Sequence, residues 1–169
     1  SGGTSTINTT NLLNVVLNSD RDASGAGAIN LGTGASISSS GGNITLGGGA
    51  NPFTTPAYNT ASLGSGVELN GATLNAAGGN IAIRGRRLDA TIATNYYGFY
   101  MRGASSITTT GSGTINIDGS ATGTGSNGQI GLLISQFGNT ITTTNGAISL
   151  NGTGGNATGY NYGMSIGGD

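Results

Sequence analysis

Residues 98–119, GFYMRGASSITTTGSGTINIDG, carry three short apolar pulses: Phe99 and Met101, then Ile107, then Ile115 and Ile117. In the paired pulses the apolar residues stand two apart, and Gly, Ser and Thr separate one pulse from the next. A strand turns successive side chains to opposite faces, so residues two apart enter one core. No 3.6-residue period is sustained, and Gly with β-branched Thr at this density disfavours helix. The stretch predicts three short strands joined by tight turns.

The three beats return from Gly131, GLLISQFGNTITTTNGAISLNG, and in looser copies from Gly66, GVELNGATLNAAGGNIAIRG, and Gly27, GAINLGTGASISSSGGNITLGG. The chain closes on a first beat alone, GMSIGGD. The glycines opening the first beat, Gly66, Gly98, Gly131 and Gly163, are 32, 33 and 32 residues apart. The third beat, Ile44, Ile81, Ile115 and Ile148, has spacings of 37, 34 and 33. Repetition at this period marks a solenoid, propeller or array. Three strands per repeat fit one coil of an all-β parallel β-helix, a β-solenoid with coils of about 33 residues and variable loop arms. Like strands then stack about 4.8 Å apart. Stacked coils satisfy each other's backbone groups and bury an apolar face that none could bury alone. Apolar spacing also permits a coil of half this length, but sequence likeness recurs at the full period.

Residues 1–26 are expected to supply a leading strand ending near Leu17, after a short helical turn around Asn11, and then a polar turn. The repeats run over 27–65, 66–97, 98–130 and 131–162, with a partial copy at 163–169. The arms, such as 47–65 and 84–97, vary in length as loops do. The sequence ends mid-coil without a polar cap, and solenoids need capped ends. We therefore expect a single domain that is a fragment of something longer or a unit that stacks on other copies.

Charged residues make up 7% of the chain and the net charge is −1. A nucleic-acid partner would need a basic stripe, so none is expected. Charge-driven disorder is equally disfavoured. The chain has no Cys, His or Lys, and no apolar run long enough to span a bilayer. No membrane insertion is expected.

The stretch NVVLNSDRDASGAGAINLGTGASISSSGGNITLGGG at 14–49, with the leading INTTNLLNVVLNSD and the openings NYYGFYM and NYGMSI, carries a family likeness. It resembles the filamentous haemagglutinin-like large exoproteins of two-partner secretion in Gram-negative bacteria. The resemblance covers nearly the whole chain. It implies a right-handed parallel β-helix, export through an outer-membrane secretion pore, and a place on the cell surface or in the medium. The implied role is adhesion to surface glycans or proteins, or the building of fibrous surface structures.

Asn18, Asp20, Asp22 and Ser24 place oxygen ligands at alternate positions, as a calcium loop requires. The twelfth position is Ile29 rather than Glu and the sixth is Ala23 rather than Gly. The competing reading is a polar turn with Arg21 screening the two Asp. No other cofactor is expected. Arg84, Arg86 and Arg87 cluster in one arm, with Arg102 a coil later, and could grip an acidic glycan. Alternatively they are solvated charge partly paired with Asp89; separately, Asp118 and Arg84 follow aligned third beats one coil apart and could form a simple salt bridge. Tyr96, Tyr97 and Tyr100, like Tyr160 and Tyr162, could stack on sugar rings or pack on one another.

Gly123 to Gly128 matches GxGxxG, but QIGLLISQF after it reads as a strand rather than the helix a dinucleotide site needs. The Thr triplets 108–110 and 142–144 could form a water-ordering face, although the corresponding residues elsewhere are SSS and NAA. Sequons at Asn8, Asn43, Asn151 and Asn156 arise readily in an Asn/Thr-rich chain, and Asn43 falls in an expected strand. Catalysis has little to draw on without His or Lys. We expect no enzyme but a structural and adhesive segment. A polysaccharide-acting β-helix enzyme and an end-to-end filament subunit stand as alternatives. Three or more acids gathered in a cleft would favour the enzyme.

Overall fold

The structure, a computed structural model, describes residues 4–88, 96–123 and 128–167. These residues form strands and turns without a helix. The first coil holds β1 (Thr6–Asn8), β2 (Val15–Ser19) and β3 (Ile29–Leu31). The second holds β4 (Ser36–Ser38), β5 (Ile44–Gly48), a two-residue β6 (Ala57–Tyr58) and β7 (Val67–Asn70). The third holds β8 (Thr73–Asn75), β9 (Ile81–Leu88) and β10 (Tyr96–Arg102). The fourth holds β11 (Ser106–Thr108), β12 (Ile115–Thr122) and β13 (Gln129–Ser135). The fifth holds β14 (Thr140–Thr142), β15 (Ile148–Thr153) and β16 (Met164–Gly167).

The strands stack into three parallel sheets. The first runs β1-β4-β8-β11-β14, the second β2-β5-β9-β12-β15, and the third β3-β7-β10-β13-β16. This is a β-solenoid of about five turns, with three strands and about 33 residues per turn. Pairing over the full period excludes the half-length coil. Ile44, Ile81, Ile115 and Ile148 are register partners in the second sheet. Ile37, Leu74, Ile107 and Ile141 form the matching column of the first. Val67, Phe99, Leu132 and Met164 form that of the third. These columns converge on one core in which Ile44, Leu74, Phe99, Ile107 and Ile117 are fully buried. Burial of each such side chain stabilises by roughly 1.5–3 kcal/mol.

The leading segment differs from expectation. In place of a helical turn near Asn11 it makes a bend, and it supplies two strands rather than one. β1 pairs with β4 and β2 with β5, so residues 6–19 already belong to a coil. A single apolar residue, Ile7, was too faint a beat to show in the sequence.

The long spacing from Ile44 to Ile81 has a structural cause. β5 parts from β9 beyond Leu46, although Gly47 and Gly48 still pair with β2, and β6 takes its place beside β9, pairing Ala57 with Gly85 and Tyr58 with Arg86. The excess residues are thereby looped out of the tube without breaking its columns.

Beyond the core, β9 and β12 continue outward while β10 and β13 return. The second and third sheets meet there at a constriction of facing glycines. A Cβ on Gly85 would land on the Gly98 carbonyl, and one on Gly119 on the Gly131 carbonyl. Only glycine permits backbones this close. Outside the constriction lies a small two-layer arm whose interior is largely polar. Arg87 and Gln129 are buried there with Ala57, Asn59 and Ala121.

Candidate functional site

The glycine constriction changes the alternation of the third sheet. Gly98 and Phe99 are both buried, as are Gly131 and Leu132, so two consecutive residues face inward. Residues on either side of the pair then face outward together. Tyr97 and Tyr100 are three apart, yet their ring centroids lie 4.6 Å from each other at a 54° tilt. The guanidinium carbon of Arg102 sits 5.3 Å from the Tyr100 centroid, within cation–π range. Arg102 is held there by Glu68 on the neighbouring strand, with Nε and Nη2 donating to Oε1 at 2.9 and 2.8 Å. Ser135 donates its hydroxyl to the Tyr100 phenol at 3.2 Å.

One coil on, Ile130 is the register partner of Tyr97, and Leu133 that of Tyr100. Both are half-buried and lie outside the core cluster. Tyr162 follows in the next coil, where its carbonyl accepts the Gly131 N–H at 3.0 Å. Tyr160 and Tyr162 are themselves stacked, 5.9 Å between centroids, and are 70% and 48% exposed. The outer face of the third sheet is thus a shallow aromatic and aliphatic platform, with the Glu68–Arg102 pair at one margin. Flat aromatic faces with a polar margin suit stacking on sugar rings or on a protein surface.

Of the Arg residues singled out in sequence, Arg102 shares this face with Tyr97 and Tyr100, and Arg84, Arg86 and Arg87 do not. Asp89 lies outside the described residues. Arg84 and Arg86 project from the outer side of the second sheet, across the arm from Tyr97. Arg84 Nε lies 3.7 Å from Asp118 Oδ2 on the aligned strand, and Asn151 donates to Asp118 Oδ1 at 2.8 Å. Arg86 Nη2 donates to Thr122 at 3.4 Å. Arg87 points into the arm, 1% exposed, and its Nη1 donates to the Gly128 carbonyl at 2.9 Å. Its burial rules it out as a surface contact in this conformation. Strand alternation across RGRR, invisible to a reading of charge alone, separates it from its two neighbours. Tyr96 enters by its backbone, at the start of β10; its side chain lies outside the described residues.

Asn18 lies on β2, and Asp20, Asp22 and Ser24 form the turn after it. Both Asp20 oxygens are engaged within that turn. Oδ1 accepts the Ser24 N–H and hydroxyl at 3.1 Å each, and Oδ2 accepts the Gly25 N–H at 3.1 Å. The Ser24 hydroxyl also lies 3.0 Å from Asp22 Oδ1. The Gly25 N–H, with help from Ser24, holds the Asp20 carboxyl below the usual carboxylate range. Asp20 and Ala23 both have φ of 54°, a left-handed geometry held by these bonds. Among the described residues no three His, Cys, Asp or Glu gather as a metal cluster. The described acids are dispersed: Asp20 and Asp22 on this turn, Glu68 outside the third sheet, and Asp118 outside the second.

In each Thr triplet the first residue stands on the outer side of its strand and the third is exposed beyond the strand end, while the second packs at the corner. Thr108 and Thr142 pair on the outer side of the first sheet, with hydroxyls 3.4 Å apart. Thr109 is buried and donates to the Gly79 carbonyl at 2.7 Å, and Thr143 donates to Gly113 at 2.8 Å. The second Thr is therefore a corner fastener, and the triplets do not form a flat face. Asn43 stands just before β5, where its Oδ1 accepts the Asn80 N–H at 2.8 Å. Most of the GxGxxG segment, residues 124–127, lies outside the described residues, and β13 follows it as a strand.

Comparison with family models, curated proteins and solved structures finds no match to this chain. Among the described residues no helix is long and apolar enough to cross a membrane, which says nothing of strands.

Proposed function

We propose that this chain is a structural and adhesive segment of a secreted bacterial surface exoprotein. The solenoid serves as a stiff shaft, and the outer face of its third sheet makes contact with glycans on a neighbouring surface. The carrying observation is the platform of Tyr97 and Tyr100 with Arg102 locked over the second ring. A face built on strands is pre-ordered, so binding loses little entropy in arranging it. Sugars offer both the apolar ring face that tyrosines stack on and the hydroxyls that Arg102 and Glu68 can bond.

A glycan array probed with the chain tests this directly. Tyr97→Ala with Tyr100→Ala is expected to weaken binding to the best-bound glycans about tenfold or more, on the order of 1.4 kcal/mol. Arg84→Ala with Arg86→Ala, on the opposite side of the arm, is expected to leave it unchanged. Flat signal across the array would overturn the glycan reading and leave the role of a spacer.

A further inference from the structure

The outer side of the first sheet is unlike the outer sides of the other two. Its five strands are each three residues long, and they pair without a slip or an insertion. The middle residue of each, Ile or Leu, lies in the inward column, so the two flanking residues stand outward. One outward rank reads Thr6, Ser36, Thr73, Ser106 and Thr140, a hydroxyl on every coil. The second reads Asn8, Ser38, Asn75, Thr108 and Thr142. All are exposed or half-buried, and none is charged or apolar. Charge lies elsewhere: Arg84, Arg86 and Asp118 stand outside the second sheet, and Glu68 and Arg102 outside the third.

Neighbouring coils repeat about every 4.8 Å, and residues two apart along a strand are about 6.6 Å from each other. The two ranks are therefore a net of small hydroxyl and amide groups, regular in two directions. Within it Thr140 donates to Ser106 at 3.1 Å and Thr142 to Thr108 at 3.4 Å, while the Ser106 and Thr108 hydroxyls lie 3.2 Å apart. These bonds hold the side chains in place. A hydroxyl has one proton and two lone pairs, so each keeps bonding capacity for a group outside. No charge has to be stripped of its water when the face is covered. A matching occupant is uncharged, gives and accepts hydrogen bonds over its whole surface, and repeats at similar intervals in two directions. The surface lattice of ice has all three properties. A second copy of the chain fits less well. Five strands of three residues span about 24 by 10 Å, roughly 240 Å², against the roughly 800 Å² per partner of a stable interface.

We propose that the outer face of the first sheet binds ice, its two ranks standing in for water molecules of the crystal surface. A growing crystal front asks less of a face than a protein partner does, since a molecule held while one layer is added is overgrown. The face lies on the flank of the shaft, so further coils above or below would only extend it. It shares no residue with the glycan platform on the third sheet.

Ice recrystallisation in the presence of the whole chain tests the proposal. Fine-grained frozen films of buffered sucrose are annealed just below melting, and grain size is followed by microscopy. The parent chain is expected to keep the grains small at a concentration at which serum albumin lets them coarsen. Thr73→Lys with Thr142→Lys puts one charge in each rank, at exposed positions. This variant is expected to need at least about tenfold more protein for the same effect. Ser149→Lys with Thr153→Lys puts the same charge outside the second sheet, and Tyr97→Ala with Tyr100→Ala removes the aromatic platform. Both are expected to match the parent, and circular dichroism of each variant confirms that the fold is kept. A parent chain that leaves coarsening unchanged overturns the proposal. So does a first-sheet variant as active as the parent, or a second-sheet variant as weak as the first-sheet one, which would trace the effect to charge alone. Parent dimers in sedimentation velocity that Thr73→Lys with Thr142→Lys dissociates would assign the face to a second copy and overturn it too. Glycan binding is read separately by the array.

Discussion

A methyl group on Gly119 would land on the Gly131 carbonyl, and one on Gly131 on the Thr153 amide. Neither neighbour is the tip of a flexible side chain, so the backbone itself would have to move. Gly119→Ala is expected to destabilise the protein by about 3 kcal/mol, through strain in the constriction. At Gly32 nothing lies within 4 Å of an added Cβ, and Gly32→Ala is expected to stay within about 0.5 kcal/mol of the parent. Urea denaturation of the two variants makes the comparison, and equal losses would show that the constriction yields. The glycines opening the first beat were visible as a repeating mark. Their reason was not, because the backbone each one meets belongs to another part of the coil.

At the scale of the element, the second sheet offers an internal control on the columns. Ile117 is fully buried between Ile83 and Leu150, whereas Ile148 is 42% exposed at the open end of its column. Removing the same atoms should therefore cost differently. Ile117→Ala is expected to cost about 2–5 kcal/mol, and Ile148→Ala about 1 kcal/mol or less. Denaturation curves fitted with a common slope read the difference; a cost at Ile148 as large as at Ile117 would mean that the end coil is covered. The columns of the second sheet were legible from Ile44 onward, since Ile115-Asn-Ile117 and its counterparts alternate strictly, but Val15 and Leu17, which begin them, read only as a leading strand. The third sheet was legible only in part. Its alternation slips by one residue at Gly98–Phe99 and again at Gly131–Leu132, so a strict period of two assigns Tyr97 to the wrong side.

In the whole molecule, each coil touches only its neighbours, and stability should accumulate toward the middle. Amide hydrogen exchange in dilute solution is expected to show the strongest protection in β8, β9 and β12 and the weakest in β1 and β16. Uniform protection would instead mean that the five coils open as one unit. The same logic gives the two ends their character. In the last described coil Ile148 stands 42% exposed, whereas its column partner Ile115 is buried.

The sequence alone determined the strand content, the coil length and the identity of the core columns. These depend on local alternation and on like residues recurring at a fixed interval, both of which are properties of one dimension. The tertiary structure decided which charged and aromatic residues share a face. It placed Arg87 inside the arm, Arg84 and Arg86 on one outer side, and Tyr97 with Tyr100 on the other. The physical reason is that two sheets can touch only where both lack side chains. Where they touch, the chain changes phase, and no local pattern announces it.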